Sequence, residues 1–97
     1  MHNKGRPTMA YFFGRVSVED YATFRKTFDS KDDMRRAAGA TKSTVYQSVD
    51  DPNEVVVQIE FPSADAAKAF STSEGLRNAI QQAGAKKEPR MVVVNET

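Results

Sequence analysis

Few side chains in this sequence are equipped for chemistry, and their placement narrows what they can do. The single histidine is His2, and there is no cysteine. A histidine general base, a three-histidine metal centre and a histidine haem ligand within the fold are therefore excluded. Thiolate ligation and a Ser–His or Cys–His nucleophile are excluded as well. Carboxylates are plentiful, but Asp32-Asp33 and Asp50-Asp51 fall on a helix surface and in a turn, so no spacing isolates a pair on a buried face. Gly14 and Gly39 stand alone and make no glycine-rich phosphate loop. What remains is a set of rings, Phe12, Phe24, Phe28, Tyr46 and Phe70, able to line a small apolar or aromatic ligand. Tyr46, Arg15 and Gln58 are the polar groups able to orient one. No metal and no cofactor is expected.

These residues must be positioned by one domain, since the chain has 97 residues. The expected division is a loose, polar tail over residues 1–8 and a folded domain over 9–97. A domain of this size buries only about 60–65% of its unfolded surface, so a partner subunit would help it. Fourteen basic residues against thirteen acidic leave a net charge of +1, which supplies no electrostatic footprint for nucleic acid. No stretch approaches the ~20 apolar residues of a membrane span. His2, Lys4 and Arg6 precede an apolar run, but Gly14 and Arg15 interrupt it and no small-residue cleavage site follows. The expectation is a soluble, cytoplasmic protein without membrane partners.

The organising stretch is Asp50–Pro62. Asp51-Pro52-Asn53 reads as a turn, with φ preset at Pro52. The strand after it puts Val55, Val57, Ile59 and Phe61 on one face and Glu54, Val56, Gln58 and Glu60 on the other. Pro62 ends it, and Ser63 is suited to cap a helix. Upstream, Met9–Val18 reads as a strand apolar at both parities, which suits the centre of a sheet. A helix is predicted from a cap at Ser17, through Tyr21, Phe24, Phe28 and Met34 or Arg35, to Gly39. Its charges, Lys31 to Asp33 and Arg35-Arg36, are assigned to solvent. Thr41–Val49 reads as a polar edge strand. The helix after Ser63 should break over Ser71–Gly75, with Ser73 restarting it and Leu76, Ala79, Ile80 and Ala83 forming a new stripe. Arg90–Asn95 is the last strand.

Strand, helix, strand, strand, helix, strand predicts an α+β, ferredoxin-like βαββαβ domain: a four-stranded antiparallel sheet with two helices on one face. Strands one and three would be central. Large rings facing the alanines of the second helix leave room for a pocket there, while the high density of interiors favours a filled core. Tyr11, Phe13, Arg15, Val56, Gln58 and Val93 are assigned to the open face. An exposed patch of that kind marks an interface, here with a second copy, in which Arg15 would meet Glu60 or a carbonyl. The third strand offers no aromatic partner to Tyr11 and Phe13, which argues against RNA stacking.

Tyr21, Phe24, Phe28-Asp29, Arg35-Arg36, Gly39-Ala40, Asp50–Asn53, Glu60-Phe61, Ala66, Ala69-Phe70, Ala83-Gly84 and Pro89 together resemble the dimeric α+β barrel superfamily. More narrowly, they resemble the small cyclase-like proteins close to the antibiotic biosynthesis monooxygenase domain, over Met9 to Asn95. The resemblance implies homodimers whose sheets meet as a barrel with the helices outside. It also implies kinship with cofactor-free oxygenases of polyketide and quinol substrates and with haem-degrading enzymes. Those enzymes use a histidine on the second helix, and often Trp or Asn. Here Ala69-Phe70 stands in that segment, and the chain has no Trp. The expected function is accordingly binding of a small apolar or aromatic molecule by a homodimer without a recognisable reaction. The alternative is a cofactor-independent monooxygenase or cyclase-like enzyme.

Overall fold

Glu54–Phe61 alternates between two faces as its sequence requires: Val55, Val57, Ile59 and Phe61 are buried, and the residues between them are half-buried. The computed structural model describes residues 9–97, so the tail expected over residues 1–8 lies outside the described residues. In order, the chain forms β1 (Ala10–Ser17), α1 (Tyr21–Ser30), α2 (Asp32–Ala37), β2 (Lys42–Gln47), β3 (Glu54–Phe61), α3 (Ala64–Ser71), α4 (Glu74–Gln82) and β4 (Arg90–Asn95). The sheet is antiparallel with strand order β2-β3-β1-β4. This is the ferredoxin-like α+β arrangement, with the first and third strands central. The inward residues of β1 and β3 form the core with Phe24, Ala67 and Phe70 of the helices.

The turns and caps are local devices. Asp51 Oδ1 accepts from the Asn53 N–H at 2.9 Å, and the Glu54 N–H returns to the Asp51 carbonyl at 3.0 Å. Asn53 then ties this turn to α1, its Oδ1 accepting from the Tyr21 N–H at 2.9 Å. Ser63 and Ser73 cap α3 and α4 by accepting from the N–H groups of Ala66 and Leu76, each at 3.1 Å. Gly39 and Gly84 close the two helical crossovers at φ of 105° and 81°, a conformation that L side chains resist.

Two expectations about the first crossover are corrected. The cap is Asp20, whose Oδ2 accepts from the Thr23 N–H at 2.9 Å; Ser17 ends β1 and its hydroxyl donates to Glu54 instead. The helix is also divided at Lys31. The Ser30 hydroxyl donates back to the Thr27 carbonyl at 2.7 Å, and Arg35 takes up the Phe28 carbonyl at 2.8 Å. Carbonyls engaged in this way no longer need the next turn of helix.

The solvent assignment of Arg35 is likewise corrected. Arg35 is 5% exposed. Its guanidinium lies 3.7 Å from the Phe28 ring centroid, and its Nε donates to Ser43 Oγ at 3.1 Å. A stacking ring on α1 and two acceptors, the Phe28 carbonyl and Ser43, make burial of a cation tolerable there.

Register supplies the other corrections. Phe12 pairs with Val93, so Val93 lies on the helix side against the core, not on the open face. A one-residue difference in register turns a side chain over. The β4 residues that share the open face with Tyr11 and Phe13 are Val94 and Val92. Tyr46 pairs with Val56 and so joins the open face, away from the phenylalanines with which it was grouped. Within the chain Arg15 pairs with Glu54 at 3.2 Å, two pairs along the β1–β3 ladder from its own partner Val56.

Candidate functional site

Between the sheet and the helices lies a cavity of about 80 Å³. Phe12 on β1, Phe24 and Phe28 on α1 and Phe70 on α3 all line it, so four of the five rings expected to form a ligand site come together there. The rings are mutually braced. Phe12 meets Phe70 edge-on with centroids 5.3 Å apart, and Phe24 stacks on Phe28 at 5.8 Å. Tyr46 is the exception, on the opposite face of the sheet. The space under the helices is thus a pocket where the density of interiors favoured a filled core.

Helix α4 is the reason. The chain breaks at Thr72-Ser73 and restarts as α4, none of whose residues is buried. Its apolar stripe, Leu76, Ala79 and Ile80, faces the cavity and roofs it over without filling it. Met34 on α2 and Met91 on β4 also line it. The stripe on α4 is legible in the sequence, and the break at Ser71–Gly75 was the signal that it could stand away from the sheet. Almost no polar surface faces the cavity. Arg35 and Lys31 belong to its wall, and Arg35 directs its hydrogen-bonding end to the Phe28 carbonyl and Ser43. Burial lowers the Arg35 pKa below its ordinary value, an effect opposed by the carboxylates of Asp32 and Asp29.

The open face carries the polar groups. Tyr46 donates to Gln58 Oε1 at 2.9 Å, Tyr11 to Glu60 Oε2 at 3.3 Å, and Thr41 to Glu60 Oε1 at 2.8 Å. Partial removal from water, then the charges of Glu96 and Glu60, push the Tyr11 phenol above its ordinary range. Farther along, Glu54 accepts from Ser17 and pairs with Arg15, which together hold its carboxyl below the usual range. Around these pairs lie Phe13 and Val56, half-buried, and Val92, which is 53% exposed. Tyr11, Phe13, Arg15, Val56 and Gln58 therefore share one surface as expected, with Val92 where Val93 was assigned. Among the described residues no group of three His, Cys, Asp or Glu side chains is placed to hold a metal ion. No helix of the described residues is long and apolar enough to cross a membrane.

The fold recurs in solved structures of low sequence identity. A provisionally named antibiotic biosynthesis monooxygenase from Bordetella bronchiseptica matches with a TM-score of 0.79 at 12% identity, covering 93% of this chain and 98% of that one. SnoaB, a cofactor-independent oxygenase from Streptomyces nogalater, matches with a TM-score of 0.70 at 18% identity, covering 93% and 96%. Rv0793 from Mycobacterium tuberculosis matches with a TM-score of 0.69 at 19% identity, covering 92% and 95%. At these identities the likeness is one of fold. No curated protein matches the sequence. A family model for a domain of unknown function, DUF1330, matches residues 9–97. The chain belongs to the DUF1330 family.

Proposed function

We propose that this protein is a homodimer that binds a small apolar molecule beneath its helices without catalysing a reaction on it. One observation carries the reading: a cavity lined by four phenylalanines offers a ligand almost no hydrogen-bonding surface. Such a wall favours transfer of apolar groups from water. It does not supply a base or an oxyanion donor within the ~3 Å that proton transfer or charge stabilisation requires. Xenon under pressure, a probe with no polar contacts to make, tests it directly, because dry apolar cavities take up such probes. Amide resonances of Phe28, Phe70 and Ala79 should shift with xenon, while those of β2 stay still. A spectrum unchanged by xenon would refute the reading.

The dimer belongs to the same proposal. The open face presents Tyr11, Phe13, Val56, Val92 and Val94, and no other segment of the described chain covers it. A second copy offering the same face would remove these side chains from water in both subunits.

Cofactor-independent oxygenation of an aromatic substrate is the second reading. It is favoured by the likeness to SnoaB and by the Tyr11–Glu60 and Tyr46–Gln58 pairs, which a face-to-face dimer would enclose. Oxygen uptake on adding an aromatic quinol, lost in Tyr46→Phe, would establish it in place of the first.

A further inference from the structure

The cavity wall carries charge of one sign only. Lys31 and Arg35 both line it, and no carboxylate does. The two are four residues apart, one helical turn, with the Arg35 N–H bonded to the Lys31 carbonyl at 3.1 Å, so they stand over the same end of the cavity. Their charges are poorly compensated. Arg35 forms one ion pair, with Asp32 at 3.5 Å, and Asp32 is held more closely by Arg36 at 2.7 Å; Asp29 acts on it only from a greater distance. Among the described residues Lys31 makes no ion pair. It is half-buried at the α1–α2 junction, with its stem against the cavity and its ammonium outside the apolar wall.

From this geometry we infer that the ligand is an amphiphile: a short alkyl chain in the cavity and a carboxylate at its rim, against Lys31. The inference rests on the apolar-binding reading above and names the ligand class for that site. Size restricts the chain. About 80 Å³ is roughly half of the ~150 Å³ that accommodates a benzene ring. A branched chain of a few carbons enters such a space, and a fused polycyclic skeleton does not. Charge restricts the head group. A carboxylate at the rim would sit beside an unpaired ammonium and lie within the field of a buried guanidinium, whereas an ammonium head group would face two cations at close range. The carboxylate stays outside the cavity because no donor faces inward to replace its water.

The test pairs isovalerate with isoamyl alcohol, which share the alkyl group and differ in charge. Each is titrated into the full chain at low ionic strength and followed by amide chemical shifts, in the wild type, in Lys31→Gln and in Ala79→Leu. The expected result is isovalerate binding about fivefold tighter than the alcohol, a ratio in keeping with one partly exposed ion pair. Lys31→Gln should bring the two to parity, and Ala79→Leu, which fills the cavity, should weaken both. Equal affinities in the wild type, or a preference for isovalerate that survives Lys31→Gln, would overturn the anionic head group and leave apolar binding standing. Failure of both probes to bind, or binding undiminished in Ala79→Leu, would overturn both.

Discussion

Arg35 shows how one side chain can belong to two patterns at once. It is a charged residue in a run of charged residues, and it is also the next position on the stripe of Phe24 and Phe28. The stripe prevails because Phe28 offers its ring and its carbonyl and Ser43 offers a hydroxyl. Truncating it removes the stacked cation from Phe28 and the donor from Ser43, and leaves the Phe28 carbonyl with the Lys31 N–H alone. Arg35→Ala should therefore cost about 1–3 kcal/mol in urea unfolding. Arg35→Lys should recover little of it, since an ammonium cannot stack and bond in the same plane. An unchanged midpoint in Arg35→Ala would show that the stack contributes nothing. Glu54 gives a second prediction. The Ser17 hydroxyl, and after it Arg15, depress its pKa in the fold. A carboxylate of that kind stabilises the native state above its unfolded pKa and ceases to as the pH falls through its lower, folded value. Stability should thus decline on acidification below about pH 4–5, and Glu54→Gln should make that decline shallower. Parallel melting curves for the two proteins across the acid range would rule this out.

Among the elements, α4 is the one whose attachment differs from the rest. It is short, none of its residues is buried, and its apolar stripe rests over a cavity rather than on the sheet. Its N-terminus depends on Ser73, which accepts from the Leu76 N–H and donates to the Phe70 carbonyl at 2.8 Å. Ser73→Ala removes the cap and should cost about 1 kcal/mol. Because α4 has little packing to fall back on, its amides should exchange faster in the variant while those of β1 and β3 keep their protection. Uniform acceleration across the chain would mean that α4 opens only with global unfolding. The same loose seating is what leaves space beneath it. A helix pressed onto the sheet would fill the pocket with Leu76 and Ile80.

For the whole molecule, the question is what meets the open face. Leaving a large apolar side chain in water forgoes on the order of 1.5–3 kcal/mol, against a total stability of about 5–15 kcal/mol for a small domain. Phe13→Asp, Val56→Arg and Val92→Asp should each weaken self-association and lower the melting temperature together. Val93→Ala is the control, since it alters the helix side: it should lower the melting temperature with no change in sedimentation. A folded monomer at micromolar concentration, indifferent to the first three substitutions, would refute the homodimer.

The sequence by itself determined what depends on neighbours along the chain. The alternation of β3, the Asp51-Pro52-Asn53 turn, the Ser63 and Ser73 caps and the glycine closures each draw on a few adjacent residues, and their physics is complete within that span. From them the order of elements follows, and with it the βαββαβ fold. Periodicity also brought Phe12, Phe24, Phe28 and Phe70 to one side. What only the tertiary structure decided were matters of register and volume. Met91-Val92-Val93-Val94 is apolar at both parities, so its pattern has no preferred face until Phe12 pairs with Val93. Tyr46 lies on a strand too polar to show a buried side, and its face comes from pairing with Val56. Arg35 is buried because partners from α1 and β2 converge on it, and the cavity lies where α4 meets β1, α1 and α3 without a buried residue of its own. Each of these is set by distances between segments remote in sequence, which no local pattern encodes.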